Sequence, residues 1–267
     1  MSELLKTCQG RDALLAALGS VPVPERTRSW CPASYVEVAT HVDKRVCHRM
    51  GGEPVSRKYG LSQKGQQVFI TWTFPSSEED MGICIGVRQS YNRTVSLGLV
   101  TGLEVYACEN MAFDASSMRV TRKNTPQAWS DFVTLTESVL DEIQGDFASV
   151  RSDARMMQAV PISTDRGAEL VGLALFRGVL ATQQGVTAGK VWRDPPTEAF
   201  APRNLWNLYN AFTAAIKHGP AGKVMDRHAN AHGFFQNVVE GLPMDVLGPA
   251  MDRVNAGEIA DAVEGSV

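Results

Sequence analysis

Residues 86–125 read GVRQSYNRTVSLGLVTGLEVYACENMAFDASSMRVTRKNT. Two β-rich runs flank the polar Tyr91-Asn-Arg-Thr94, and asparagine tolerates the left-handed backbone of a tight turn. Strand, short turn and strand make an antiparallel hairpin. Working back from it, 83–89 is the first strand of the hairpin and 75–80 a polar loop. Gln67–Phe74 alternates, with Val68, Ile70 and Trp72 at every second position, and a strand at 55–61 precedes it across a turn at 62–65. The run 95–113 is expected as one long strand, with Gly98 and Gly102 marking bulges or bends. About four consecutive strands with short connections predict an antiparallel meander with one face covered by helices.

Helical periodicity lies on both sides of this block. Residues 12–19 form a short helix stopped by glycine, and Val21-Pro-Val-Pro24 an extended linker, because proline biases its predecessor away from the helix. Over 32–50, Tyr35, Val38, Ala39, Val42, Val46 and Met50 recur at three- and four-residue steps, and Gly51-Gly52 ends the run. After the strands, helices are expected at 126–144, 147–159, 165–184, 203–218 and 222–240. A loop at 185–202 is anchored by Trp192 and Phe200, and a weak helical pattern covers 250–263. The order predicts an α+β fold: an antiparallel β-meander preceded by one or two helices and covered by a C-terminal set of helices. The chain divides into an N-terminal helix and linker (1–24), a single α+β domain (25–249) and an acidic C-terminal tail (250–267).

Composition narrows the function. The chain has 267 residues, 44% of them hydrophobic and 21% charged, which is ordinary for a soluble globular protein. The net charge of −3 carries no global signature, but charge is unevenly spread. Lys44, Arg45, Arg49, Arg57, Lys58 and Lys64 outnumber Asp43 and Glu53 in 41–64. In 240–267 Glu240, Asp245, Asp252, Glu258, Asp261 and Glu264 face Arg253 alone. Such asymmetry marks either a basic binding face and an acidic tail or ordinary solvated surface. The five cysteines are odd in number and form no CxxC pair, a pattern suited to a reducing cytosol. The first residues lack a secretory leader pattern, and no run reaches the roughly 20 apolar residues that span a bilayer. A cytoplasmic protein with no membrane partner is expected.

Specific catalytic motifs are missing. His228-Ala-Asn-Ala-His232 puts two imidazoles four residues apart on one helix face, a spacing that can hold a divalent metal or simply be a structural pair. Ala229 stands where a metalloprotease helix carries glutamate. Cys108 before Glu109-Asn110 is either a nucleophile awaiting a histidine or a buried small hydrophobe. Phosphate-binding and dinucleotide-binding glycine motifs are absent, so no cofactor and no ATP-dependent step is expected. What remains is a basic and aromatic surface: Arg57, Lys58, Arg88, Arg93, Arg119, Arg122 and Lys123 as phosphate contacts, and Tyr91 as a base-stacking ring. Cations that hold phosphates beside rings that stack on bases suit a single strand. Alternatively, the cations pair with local carboxylates.

The central block, Arg88-Gln-Ser-Tyr-Asn-Arg-Thr followed by Gly102-Leu-Glu-Val-Tyr-Ala-Cys-Glu-Asn-Met-Ala-Phe and Arg122-Lys-Asn-Thr125, resembles the phage/plasmid-like proteins that carry domain of unknown function 932. The late Leu205-Trp-Asn-Leu-Tyr-Asn-Ala-Phe-Thr213 extends the resemblance over roughly residues 25–240. Asn124 departs from it, standing where a histidine would be expected. The resemblance implies a gene carried by a phage, prophage or plasmid and a bacterial host cytoplasm. The resulting expectation is an accessory protein that binds nucleic acid, single-stranded DNA foremost, without ATP, and assists annealing or recombination, with a homo-oligomer allowed. Two other readings stand beside it. One is a protein-interaction role, such as an inhibitor of a host defence system or a virion-associated protein. The other is an enzyme using Cys108 or the His228/His232 pair.

Overall fold

The computed structural model describes residues 5–107, 109–121 and 124–241. The protein is α+β. Its chain falls into two units, one of residues up to Val150 with Lys217–Met225, the other of Arg151–Ile216 with the residues from Asp226 on.

The first unit is built on one antiparallel sheet of seven strands in the order β1-β2-β3-β4-β5-β6, with β7 also paired to β5. The strands are β1 (Lys6–Cys8), β2 (Ser56–Leu61), β3 (Gln67–Phe74), β4 (Met81–Ser90), β5 (Gly98–Val105), β6 (Asn110–Phe113) and β7 (Arg119–Val120). The expected meander is its centre, and β1 and β7 are additions that two or three residues are too few to announce. The expected long strand over 95–113 is instead two strands. The chain turns after Val105, Glu109 adopts a left-handed backbone with φ of 54°, and β6 pairs back on the second half of β5. Gly98 and Gly102 are not bulges, since both sit in regular register. Gly102 serves close approach: a Cβ there would lie 2.1 Å from the carbonyl oxygen of Ala112.

Register assigns the faces. Arg57, Trp72, Ile85 and Thr101 form one row across β2–β5, and Lys58, Thr71, Gly86 and Val100 the row on the opposite face. The first face meets helices α1 (Arg11–Gly19) and α2 (Tyr35–Met50), and Asp146 of α3 (Ala128–Gln158) reaches it as well. Trp72 Nε1 donates to Asp43 of α2 at 2.8 Å, and Thr101 Oγ1 donates to Asp146 of α3. Helix α2 starts where Ser34 accepts the Glu37 N–H and Glu37 accepts the Ser34 N–H, a reciprocal cap. Its stripe of Tyr35, Val38, Ala39, Val42 and Val46 is buried. Helix α3 is continuous where two helices were expected. Gly145 lies in the gap between them, but its backbone stays out of the left-handed region, so the helix runs through it.

The second unit is helical. It contains the end of α3, then α4 (Thr164–Phe176), α5 (Thr182–Arg193), α6 (Leu205–Ile216) and most of α7 (Ala221–Val239). The expected helix over 165–184 stops at Phe176 because Gly178, at φ of 71°, takes the left-handed conformation that ends helices. Residues expected as loop after 184 continue as α5. Its Gly185 lies against Leu175, and Gly167 of α4 lies under the Trp192 ring. Phe212, Phe234, Phe235 and Tyr209 form the aromatic core between α6 and α7. The weak helical pattern at 250–263 lies outside the described residues.

Candidate nucleic-acid interface

Most of the basic residues singled out from sequence are internal. Arg57 is 6% exposed; its Nε donates to Asp43 at 2.6 Å and its Nη2 to Glu53. Lys58 is 5% exposed, on the opposite face, and its Nζ donates to Glu104 at 2.5 Å and Glu109 at 2.7 Å. Burial alone would lower the pKa of Lys58, but the two carboxylates outweigh it and raise it. Their charges are thus neutralised inside the fold, and the expectation that either contacts phosphate is corrected. Arg88 is buried on β4 in the Lys58 face. Arg119 pairs with Glu142 at 2.9 Å and caps the carbonyl of Ser116.

Tyr91 is also corrected. Its ring stacks on Tyr35 with centroids 3.8 Å apart and planes at 2°, and its hydroxyl accepts the Tyr35 N–H at 2.8 Å. It is 4% exposed, and burial pushes its phenol up to about 12. A ring engaged this way is a structural post for the start of α2 and is closed to bases.

Arg93 is different. It stands exposed on the β4–β5 turn with a left-handed backbone, φ of 62°. The turn is pinned by Ser90, which donates to the Val95 carbonyl and accepts the Val95 N–H, and by Asn92, which accepts from Thr94. Its guanidinium lies 4.6 Å from the ring centroid of Trp30. Trp30 belongs to the loop between α1 and α2, where its N–H donates to Thr27 Oγ1 and its carbonyl accepts the Thr27 N–H. That loop carries Arg26 and Arg28, both exposed. Its Cys31 N–H donates to the Asn124 carbonyl at 2.6 Å, and Asn124 in turn donates to the Ser90 carbonyl at 3.0 Å. Asn124 has φ of 42°, a backbone that asparagine adopts more readily than histidine. Arg122 and Lys123 lie outside the described residues, as does Cys108. Thr121 and Asn124, on either side of the pair 122–123, are both tied to this end of the sheet.

The β2–β3 turn ends here too. Gly65 packs on Val21 and its carbonyl accepts the Tyr35 hydroxyl, leaving Lys64 exposed beside it. Arg26, Arg28, Lys64 and Arg93 therefore project from three adjoining loops, and none has a carboxylate partner among the described residues. Of the two acids nearby in sequence, Glu37 is held by its cap and Glu25 is exposed. Sequence reading singled out Arg93, counted Lys64 only within the basic stretch 41–64, and missed Arg26 and Arg28. The signal for them was available: cations placed beside Pro22, Pro24 and Gly65, residues that force a chain into loops.

Among the described residues the histidine pair gathers no further ligands into a metal-binding group. Both rings are buried, and His232 Nε2 donates to Asp153 Oδ2 at 2.9 Å, an oxygen that also accepts from Gln236. Among the described residues no group of three or more His, Cys, Asp or Glu could hold a metal ion. No described helix is long and apolar enough to cross a membrane.

Family models, curated proteins and solved structures give no match to this chain. The nucleic-acid reading therefore rests on the cationic end of the sheet.

Proposed function

We propose that this is a phage- or plasmid-type accessory protein that binds nucleic acid, single-stranded DNA foremost, without ATP, in support of annealing or recombination. One observation carries the reading: Arg26, Arg28, Lys64 and Arg93 are exposed on adjoining loops at one end of the sheet with no carboxylate partners among the described residues. Unpaired cations on adjoining loops suit a phosphate backbone, whose binding gains from counterion release. The role first given to Arg57 and Lys58 passes to these residues. The test is retardation of a labelled oligonucleotide in a native gel at about 50 mM salt. Retardation is expected, and the double variant Arg26→Glu/Arg93→Glu should abolish it. A protein that retards neither single- nor double-stranded DNA at that salt would defeat the reading.

A protein-interaction role is the second reading, favoured by Phe176, 86% exposed at the end of α4, and Val186, 62% exposed on α5. A contiguous exposed apolar patch marks an interaction surface, and these two residues are the candidates for one. Pull-down from host lysate with wild type and with Phe176→Ser separates the two readings.

A further inference from the structure

The ring of Trp30 has two properties that its packing does not account for. Its indole N–H is buried yet has no hydrogen-bond partner among the described residues, although a buried donor left unpaired is costly. Its ring is 7% exposed, and what lies over it is the guanidinium of Arg93, a flexible, solvent-exposed cation with no carboxylate partner among the described residues. The backbone beneath is fixed on both sides, by the Thr27–Trp30 turn and by the bond from Cys31 to Asn124. A rigidly held indole under a movable cation is a platform with a removable cover.

We infer that Trp30 is the base-stacking site of this protein, opened when Arg93 moves from the indole to a phosphate. The inference rests on the nucleic-acid reading above and adds the ligand class: a single strand whose unpaired base takes the place of the guanidinium. An exposed cation–π contact is weaker than the stacking of a base on an aromatic ring, and Arg93 gains a phosphate when it leaves. The exchange is therefore downhill for a single strand. It is unavailable to a duplex, whose bases are already stacked on one another. Because every base has a π face, the site would be tolerant of sequence. The indole N–H, which lies in the ring plane, is a donor for a phosphate at the ring's edge.

The experiment titrates wild type, Trp30→Phe and Trp30→Leu with oligo-dT and with a duplex of equal length, reading both gel retardation and tryptophan emission. Oligo-dT should quench the wild-type emission, and the quench should vanish in Trp30→Phe, which keeps a stacking face and near-wild-type binding. Trp30→Leu should lose about tenfold in affinity for oligo-dT and little for the duplex. Retardation with an unchanged quench in Trp30→Phe would overturn the inference and leave the nucleic-acid reading standing. Equal losses for both ligands in Trp30→Leu would do the same, reducing Trp30 to a structural role. No retardation of either ligand would overturn both.

Discussion

Arg57 and Lys58 are neighbours in the chain and stand on opposite faces of a sheet, so they cannot serve one ligand. Each is bound to two carboxylates instead. Removing one side of such a buried pair strands the other. Lys58→Met should cost about 3–5 kcal/mol, read as a lower urea midpoint, because Glu104 would be left charged and buried. Adding Glu104→Gln should recover part of that loss. Arg93 carries the opposite expectation. Its backbone is left-handed, which glycine adopts freely. Arg93→Gly should keep stability within about 1 kcal/mol of wild type, since relief of strain offsets the lost cation–π contact, while weakening oligonucleotide binding. The two measurements then move independently. Asp153 gives a pH signature. Burial raises its pKa, but the hydrogen bonds from His232 and Gln236 outweigh burial and hold it below the ordinary range. A depressed carboxylate contributes stability above its unfolded pKa of about 3.9 that is lost as pH falls through the folded value. Acid titration of wild type should show this loss below about pH 4, and Asp153→Asn should flatten that part of the profile. Strand alternation at 57 and 58 was legible in the sequence and could have separated those two side chains. The partners were not, because Glu104 lies 46 residues from Lys58.

At the scale of elements, α4 holds two glycines with opposite roles. Gly167 has Trp192 Nε1 2.3 Å from where a Cβ would sit, and Gly172 has open space. Gly172→Ala should raise stability by about 0.5–1 kcal/mol through reduced freedom of the unfolded chain, while Gly167→Ala should lower it by displacing Trp192. Thermal melts of the two variants, made in the same helix, check the sign of each. Periodicity located most of the elements: α2, β2, β3 and the end of the chain from α6 to α7 lie close to their expected bounds. It failed where glycine was ambiguous. Gly145 lies in the gap between two expected helices and does not interrupt α3, while Gly178 lies within the expected helix over 165–184 and ends α4. The difference is backbone conformation and neighbours, which composition does not encode. The hairpin of β5 and β6 was hidden for a related reason: Val105-Tyr-Ala has strand-like residues, and the left-handed backbone of Glu109 at the reversal is not written in its residue type.

For the whole molecule, charge is a lever. Residues 242–267 hold five acids and one arginine, so ending the chain at Gly241 takes the net charge from −3 to +1. That variant should bind oligonucleotides more tightly at low salt, with the gain fading as salt rises through the physiological range. A salt series of retardation gels on both forms measures it. If the four loop cations each meet a phosphate, the logarithmic salt slope on a single strand should be about −3. The arrangement of the sheet has a consequence of another kind. Its long, apolar strands β3, β4 and β5 lie in the middle, while the ends are the three-residue β1, carrying Lys6, and the four- and two-residue β6 and β7 that share one side of β5. A growing fibril needs a long, uninterrupted border to copy, and each border here is short, charged or broken in two. The folded protein should therefore remain dispersed at high concentration, and fibre formation should wait on unfolding that uncovers β3 to β5.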